Sequence, residues 1–298
     1  MIDCFQHKRI FLTGGTGFFG KWLLDSLPES ARITVLSRDP EKFLRNYPQY
    51  RRFDYLAGDI RDFPLSAGRF DYVIHGATAS TGAIPDAEME SVIIDGTRQV
   101  LKLDFDRMLY VSSGAVYGAN PPEFVREDYC GTPVNSYGRG KQTAEQLCQS
   151  SGRTVTVARC FAFVGPHLPL DAHFAIGNFI NDCLRNRPIV IKGDGTPRRS
   201  YLYAGDLVEW LLKILADGEA GRAYNVGSDQ SHTIREIAEL VNDACSGSFS
   251  IEVLTPPPDR PGPAYVPDIR RARQELGLNI KVSLADAVRS TYRFYSGR

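Results

Sequence analysis

The sequence predicts an α/β fold in which helices cover both faces of a doubly wound parallel sheet. Three observations support this prediction. Short apolar segments alternate with helical patterns through the first half of the chain. Glycines follow the first apolar segment at G-x-x-G-x-x-G spacing. The 298 residues are also enough for one large or two small domains with a substantial core. Ligands of such a sheet bind beyond the carboxyl ends of its strands, which directs attention to those loops.

The individual elements follow from hydrophobic periodicity. Strands are predicted at 9–13, 33–37, 53–57, 70–75, 108–112 and 154–158. Helices are predicted at 21–27, 86–103 and about 136–149. From about Gly165 the alternation loosens, and helices mix with loops rich in proline and glycine.

The first glycine-rich turn predicts a dinucleotide site. In a strand–turn–helix unit, the first glycine permits a tight turn, the second admits a pyrophosphate, and the third lets the helix pack closely. The phosphates then meet the free N–H groups of the helix N-terminus. An ordinary glycine-rich turn is the alternative. The turn residues predicted to contact the dinucleotide are Gly14, Thr16, Gly17, Phe18, Phe19 and Gly20.

Composition excludes several classes of protein. Basic and acidic residues are balanced at 35 each, which gives no reason to expect a nucleic-acid partner or an anionic membrane surface. No apolar run approaches the ~20 residues that span a bilayer, and the N-terminus lacks the apolar core of a signal peptide. Six dispersed cysteines without C-x-x-C pairs favour reduced thiols, a cytoplasmic location and no metal site.

The loop after the second strand bears on the choice of dinucleotide. Ser37 and Arg38 offer a hydroxyl and a guanidinium, which suit the 2′-phosphate of NADP. Asp39 keeps NAD open, because an acidic residue there would bind the ribose 2′-hydroxyl. After the third strand, Asp59 could bind the adenine amino group beside Ile60, or could instead cap the next short helix.

A tyrosine–lysine pair predicts proton-transfer chemistry. Tyr137 and Lys141 lie four residues apart and share one helix face. A nearby ammonium group is expected to lower the phenol pKa from its usual value near ~10. Ser112 and Ser113 end a strand, where a hydroxyl can bond the same substrate oxygen. A solvated helix face is the alternative for the isolated pair.

These motifs together resemble the extended short-chain dehydrogenase/reductases, specifically the nucleotide-sugar epimerase/dehydratase family. The segments TGGTGFFG, GDIRD, HGAT, VSSGAVYG, YGRGK, RCFAFVGP and YNVGS occur in the family's order over nearly the whole chain. The resemblance implies a Rossmann fold over 1–164, with returning elements near 200–228. It implies a catalytic triad of Ser113, Tyr137 and Lys141, with Lys141 also holding the nicotinamide ribose. Gly76, Ala77 and Thr78 would line the cofactor.

The resemblance also gives residues 165–298 a role as a smaller, mixed α/β domain that binds the nucleotide sugar. Asn178 looks like a diphosphate ligand, and the segment 189–193 looks like the one that frames the base. Arg199 and Arg260 match the family's diphosphate-binding arginines, although a basic solvated face is the alternative for the cluster near Arg199. The residues predicted to bind substrate are Ser113, Asn178, Val190, Lys192, Arg199 and Arg260.

Departures from the family pattern narrow the activity. Ala162 and Val92 stand where asparagine is common, and Ser136 stands where proline is frequent. The 4,6-dehydratases need an acidic pair after the active-site hydroxyl, but this chain has Gly114 and Ala115, which transfer no proton.

Three functions therefore remain. The first is NADPH-dependent reduction of a 4-keto-6-deoxy sugar nucleotide, which Ser37 and Arg38 favour. The second is NAD-dependent 4-epimerisation, which is the commoner activity in the family. The third is a dinucleotide-binding scaffold or sensor, which retention of Ser113, Tyr137 and Lys141 disfavours.

The resemblance further implies a homodimer formed through the helices near 86–103 and 136–150. Apolar side chains on these helices could form that surface or could pack on the chain's own sheet. They are Ile93, Ile94, Val100, Leu101 and Leu147.

Overall fold

A computed structural model describes residues 2–65, 68–78, 84–172, 174–245, 247–256 and 262–297. The chain divides into two compact units. The first unit comprises 1–119, 127–160 and 208–225, and the second comprises 120–126, 161–207 and 226–298. Within the described residues, no helix combines the length and the apolar character needed to cross a membrane.

The first unit contains a seven-stranded sheet of order β11-β6-β5-β4-β1-β2-β3. Its strands are β1 (Arg9–Thr13), β2 (Arg32–Ser37), β3 (Asp54–Ala57), β4 (Phe70–His75), β5 (Phe105–Ser113), β6 (Val155–Cys160) and β11 (Ala223–Val226). Strands β1 to β6 pair in parallel. Strands β2 and β3 lie on one side of β1, and β4 to β6 lie on the other, so the strand order reverses at β1. Such a reversal opens a crevice at the carboxyl end of the strand. The predicted doubly wound parallel sheet is confirmed.

Helices follow the strands as expected of βα units. They are α1 (Phe18–Ser26), α2 (Pro40–Asn46), α3 (Asp86–Val100), α4 (Ser136–Ser150) and α6 (Ala204–Asp217), the last of which runs across the boundary between the units. A short 3-10 helix, Gly114–Tyr117, continues directly from β5. Helices α3 and α4 pack on the sheet around a core that includes Phe11, Phe70 and Ile93.

The second unit contains small sheets and further helices. The strands are β7 (Phe163–Val164), β8 (Ile189–Ile191), β9 (Arg198–Arg199), β10 (Leu202–Tyr203), β12 (His232–Thr233), β13 (Ile251–Val253) and β14 (Ala264–Tyr265). The helices are α5 (Ala175–Leu184), α7 (Ile234–Cys245), α8 (Arg270–Leu276) and α9 (Leu284–Ser296). Strand β8 pairs with β13, β7 pairs with β10, and β9 lies between β12 and β14.

Candidate active site

The glycine-rich turn connects β1 to α1, and at two of its glycines the backbone is packed too closely for a side chain. Gly14 has φ +78°, and a Cβ there would lie 2.8 Å from the carbonyl carbon of Gly76. A Cβ on Gly20 would lie 2.4 Å from the carbonyl oxygen of Gly14, so this glycine lets α1 pack against the turn. A Cβ on Gly17 would contact only that oxygen, at 3.4 Å. Gly17 is therefore the glycine around which the backbone stays open.

The start of α1 can bind an anion. Its N-cap residue, Gly17, has no side chain to accept a hydrogen bond from the first turn, whose N–H groups also lack partners within the helix. Thr16 lies in the turn, and Phe18 and Phe19 form the beginning of the helix, with ring centroids 5.6 Å apart. The turn thus has the open backbone and the helix dipole that a pyrophosphate requires.

A second loop, Gly76–Thr78, is fixed to this turn by hydrogen bonds. The Thr13 hydroxyl accepts from the backbone N–H groups of Gly76 (3.1 Å) and Ala77 (3.0 Å), so its own proton is donated to Nδ1 of His75 at 2.8 Å. Nε2–H of His75 then donates to Thr97 Oγ1 at 3.0 Å. Burial lowers the pKa of His75 to about 3, so the imidazole is neutral and links α3, through Thr13, to the Gly76–Thr78 loop.

The carboxyl ends of β2 and β3 carry the groups predicted to bind the adenosine. Arg38 is exposed and Ser37 is half-buried. The Asp39 carboxylate accepts the backbone N–H of Lys42 at 2.9 Å and thereby caps α2. Asp39 therefore has a structural role beside any cofactor contact.

Asp59 also has internal partners. Its carboxylate accepts from the backbone N–H (2.9 Å), Nε (2.8 Å) and Nη2 (2.9 Å) of Arg61. These bonds hold the pKa of the Asp59 carboxyl below its usual value, and the charge of Arg38 adds to the effect. Ile60 is buried beside it and packs against Gly96 of α3. A Cβ on Gly96 would lie 2.9 Å from Cγ1 of Ile60. Arg61 is therefore paired with Asp59, and the exposed guanidinium of Arg38 is the cation at this edge that the sequence assigned to the adenosine.

Helix α4 places Tyr137 and Lys141 one turn apart beside β5. Asn135 caps the helix by accepting the N–H of Gly138 at 2.8 Å. A Cβ on Gly138 would lie 2.8 Å from the carbonyl oxygen of Ala115, so this glycine allows α4 to approach the end of β5. Lys141 is buried, and its Nζ donates to the Val111 carbonyl oxygen at 2.7 Å. The Ser113 hydroxyl interacts with the phenol of Tyr137 and favours its ionised form, which lowers the phenol pKa.

The expected lowering of the Tyr137 pKa is wrong for the protein without ligands. Burial raises the pKa of Tyr137 to about 12, and the interaction with Ser113 offsets only part of that rise. Burial also lowers the pKa of Lys141 to about 8. The lysine Nζ lies 5.8 Å from the Tyr137 ring centroid, and desolvation is the largest cause of the pKa shift of each group.

An ion pair beside this constellation has no sequence motif and was not predicted. The Glu145 carboxylate, on α4, accepts from Nε (3.2 Å) and Nη2 (2.8 Å) of Arg159 on β6. It also accepts the hydroxyl proton of Ser112. The two neighbouring serines of β5 thus have different roles: Ser112 is bound to Glu145 and Ser113 to Tyr137. Glycines 138 and 140 of the YGRGK segment were likewise not singled out, although both lie at close helix contacts.

The second unit contains a cavity of about 780 Å³ lined by most of the predicted substrate residues. Asn178 contributes from α5, Val190 from β8, Lys192 from the residue after β8, and Arg199 from β9. Arg199 Nη1 donates to the backbone oxygens of Arg198 (2.8 Å) and Pro263 (3.4 Å). Arg260 lies outside the described residues.

The apolar residues considered for a dimer surface divide into two groups. Ile93 and Val100 are buried in the chain's own core, so they cannot contribute to a surface. Ile94, Leu101 and Leu147 are half-buried.

The fold, the glycine turn and the Ser113–Tyr137–Lys141 constellation define an enzyme of the extended short-chain dehydrogenase/reductase type. The chain belongs to the NAD dependent epimerase/dehydratase family, whose family model matches residues 10–227.

Individual relatives have several activities. UDP-glucuronic acid decarboxylase 5 of Arabidopsis thaliana is 28% identical, with 96% of this chain and 88% of that protein covered. UDP-glucose 4-epimerase of Thermotoga maritima, solved with UDP-glucose, has a TM-score of 0.85 at 23% identity, with 97% of this chain and 99% of that chain covered. UDP-glucuronic acid 4-epimerase of Bacillus cereus, solved with NAD, has a TM-score of 0.82 at 22% identity over the same shares. The family acts on nucleotide sugars, and these relatives differ in the outcome of the reaction.

Proposed function

We propose that this protein catalyses NAD(P)-dependent oxidoreduction at C4 of a nucleotide-activated sugar, with 4-epimerisation as the outcome. The observation that carries the proposal is that Tyr137 interacts with the Ser113 hydroxyl beside buried Lys141. No titratable side chain follows Ser113 at positions 114 and 115. The site can therefore move a proton at one oxygen, but these positions supply no second acid or base for chemistry at C5 and C6.

The dinucleotide fits the loops of the first unit. The N-terminus of α1 around Gly17 would hold the pyrophosphate, and the Gly76–Thr78 loop would line the nicotinamide half. Lys141 would bind the nicotinamide ribose through its ammonium group. When bound, the oxidised dinucleotide accepts hydride and brings a positive charge, and its reduced form returns the hydride.

Tyr137 would act as the base and then as the acid at the C4 oxygen. As the C4 hydroxyl is oxidised, its proton passes to the phenolate of Tyr137, while the Ser113 hydroxyl donates a hydrogen bond to the same oxygen. In the reverse transfer the phenol returns the proton. Because Tyr137 has a pKa of about 12 in the protein alone, the phenolate needs added positive charge nearby. The oxidised dinucleotide would supply it, beside the Lys141 ammonium that the protein already contains.

The cavity of the second unit would bind the nucleotide diphosphate. Arg199 can donate to a phosphate oxygen as a charged fork, and Asn178 can donate through its amide. Val190 would contact the base and Lys192 would add positive charge. Arg260 is proposed as a second phosphate ligand on the resemblance alone.

The activities of the relatives support a first oxidation at C4, but they do not favour epimerisation or decarboxylation as the step that follows. Loss of CO₂ from a hexuronic acid is easy only when position 4 is a ketone, so decarboxylation and epimerisation share a first oxidation. Decarboxylation then requires protonation at C5, and neither Gly114 nor Ala115 can transfer a proton. Epimerisation needs only rotation of the ketone and return of the hydride, which the residues present can support.

A 4-ketoreductase is the second candidate, and the β2 edge favours it. The guanidinium of Arg38 is exposed there, Asp39 caps α2, and Arg61 is paired with Asp59. An exposed guanidinium suits the 2′-phosphate of NADP, which would have to exchange after each reduction.

Mass spectrometry of the dinucleotide released on denaturation tests these outcomes. Stoichiometric NAD, with interconversion of UDP-glucose or UDP-glucuronic acid and their 4-epimers, supports the epimerase. An empty site that takes up NADPH more tightly than NADH supports the reductase. Release of CO₂ from UDP-glucuronic acid would refute the restriction to C4. Near-normal turnover by Tyr137→Phe would refute the assigned base.

We further propose a homodimer formed through α3 and α4, with Ile94, Leu101 and Leu147 contributing apolar area. Sedimentation at micromolar concentration tests it, and a monomer there would refute it.

A further inference from the structure

Glu145 is a buried carboxylate on the catalytic helix to which the mechanism above gives no role. It lies one turn beyond Lys141 and two turns beyond Tyr137, on the same face of α4. Only 3% of the residue is exposed, and buried glutamates are rare unless they are paired. Ser112 and Arg159 satisfy both of its oxygens.

The ion pair extends to the far side of Ser113. Arg159 Nη1 donates to the Tyr117 hydroxyl at 2.9 Å, and that hydroxyl donates to Asn225 Oδ1 at 2.7 Å. Tyr117 belongs to the 3-10 helix that follows Ser113, whereas Ser112 precedes Ser113. The residue before the catalytic serine and the 3-10 helix after it are therefore both attached to the Glu145–Arg159 pair.

Several groups face Lys141, and Glu145 differs from the rest in charge. The others are His75 from β4, Tyr110 from β5, Cys160 from β6, and Tyr137 and Cys148 from α4. Burial raises the pKa of both thiols to about 12, and His75 is neutral. Of these groups, only the carboxylate of Glu145 carries a negative charge near neutral pH that favours the ammonium form of Lys141, and Arg159, its ion-pair partner on β6, carries the opposing positive charge.

Stability alone explains this arrangement poorly. Burying an ion pair usually gains little over an apolar pair of the same volume, because desolvation offsets the attraction. Its location between the strand that holds Ser113 and the helix that holds Tyr137 and Lys141 indicates a role in their geometry and charge.

We propose that Glu145 is a positioning residue for the reaction. Through Ser112 and Arg159 it fixes Ser113 against Tyr137, and its charge keeps Lys141 an ammonium group at working pH. The inference rests on the proposed function, in which that ammonium group binds the dinucleotide ribose.

The charge is tested by the pH dependence of NADH binding, which needs no sugar substrate. Wild-type affinity is expected to fall as Lys141 loses its proton near pH 8. Glu145→Gln keeps an acceptor for Ser112 and Arg159 but removes the charge. The pH at which NADH affinity is half lost, the midpoint, should therefore move down by about half a pH unit or more. Lys141→Met should show no such step.

A matched control removes a carboxylate elsewhere in the first unit. Asp71 begins β4 and binds Lys8 and the N–H of Arg9. Asp71→Asn should leave the midpoint at its wild-type value. An unchanged midpoint in Glu145→Gln, with only a lower melting temperature, would overturn the electrostatic role. If Glu145→Gln does not fold, Glu145→Gln/Arg159→Gln replaces it. A smaller downward shift is expected from this double variant, because it also removes the positive charge of Arg159, which lies 2.8 Å from the Glu145 carboxylate.

The positioning role is tested with Glu145→Asp, which keeps the charge and shortens its reach. The midpoint should stay at the wild-type value, while kcat on the nucleotide sugar falls about tenfold at nearly constant KM. A wild-type kcat would overturn positioning. If the wild-type protein turns over no nucleotide sugar, the proposed function fails, yet the binding midpoint still decides the charge role.

Discussion

Lys141 is expected to destabilise the fold that it serves, and Lys141→Met should therefore make the protein more stable. Its pKa falls from 10.5 to about 8 because burial opposes the charged form. Each pKa unit corresponds to about 1.36 kcal/mol, so a charged Lys141 costs the folded state about 3.4 kcal/mol. Methionine removes that cost but loses the hydrogen bond to Val111, which contributes about 1–1.5 kcal/mol. The net gain at pH 7 is about 2 kcal/mol.

The pH dependence gives the sharper test. The folded pKa lies below the unfolded one, so between pH 8 and 10.5 the unfolded chain binds more protons and wild-type stability rises with pH. The advantage of Lys141→Met should be largest below pH 8 and should shrink by about 2 kcal/mol on going to pH 9.5. Other groups titrate there too, but they cancel in the difference between the two proteins.

Urea unfolding of dinucleotide-free protein at pH 7 and 9.5 measures this difference. Lys42→Met, which removes an exposed lysine of α2, is the matched control and should give no change at either pH. A Lys141→Met protein that is less stable than wild type at pH 7, or equally advantaged at both pH values, would refute the reasoning. The variant should also lack catalytic activity, which would make Lys141 a case of stability given up for function.

Four other substitutions test the site. Gly20→Ala should prevent normal folding of the turn, because its Cβ would lie 2.4 Å from backbone atoms. Gly17→Ala should fold but lose dinucleotide affinity. Circular dichroism measures the folding of each variant, and isothermal titration measures its dinucleotide affinity. Arg159→Met should lower the free energy of unfolding by about 3–5 kcal/mol, because it leaves buried Glu145 unpaired, and a loss below about 1 kcal/mol in urea unfolding would contradict this. Arg38→Asp should weaken NADPH binding relative to NADH by about 10- to 100-fold if Arg38 binds a 2′-phosphate, and an unchanged ratio would favour NAD.

Much of the fold was predictable because buried parallel strands have nearly continuous apolar sequences. The strands 9–13 and 70–75 were predicted to the residue. Strand β5 begins at Phe105, three residues before the prediction, since Asp106 and Arg107 interrupt its apolar pattern. Arg107 binds the carbonyl oxygen of Gly218, a partner that sequence periodicity does not show.

The site was predictable where a motif fixes local spacing and unpredictable where packing decides. Tyr137 and Lys141 follow from helical periodicity, but their pKa values depend on burial, which the spacing does not reveal. Glu145 and Arg159 come together because α4 packs beside β6, and no short motif contains both. Their roles, like those of the other site residues, stay predictions until they are measured.

The last strand of the large sheet has a consequence for how the protein can be divided. Strand β11 hydrogen-bonds to β6 at the sheet edge. It is formed by residues 223–226, which follow α5 and α6 in the sequence. A fragment ending at residue 160 would leave the backbone groups of β6 exposed as an open edge, which invites pairing with other chains. The chain crosses between the two units at residues 119, 126, 160, 207 and 225. The second unit therefore cannot be exchanged by a single cut and fusion, and chimeras of this protein must carry residues 208–225 with the first unit.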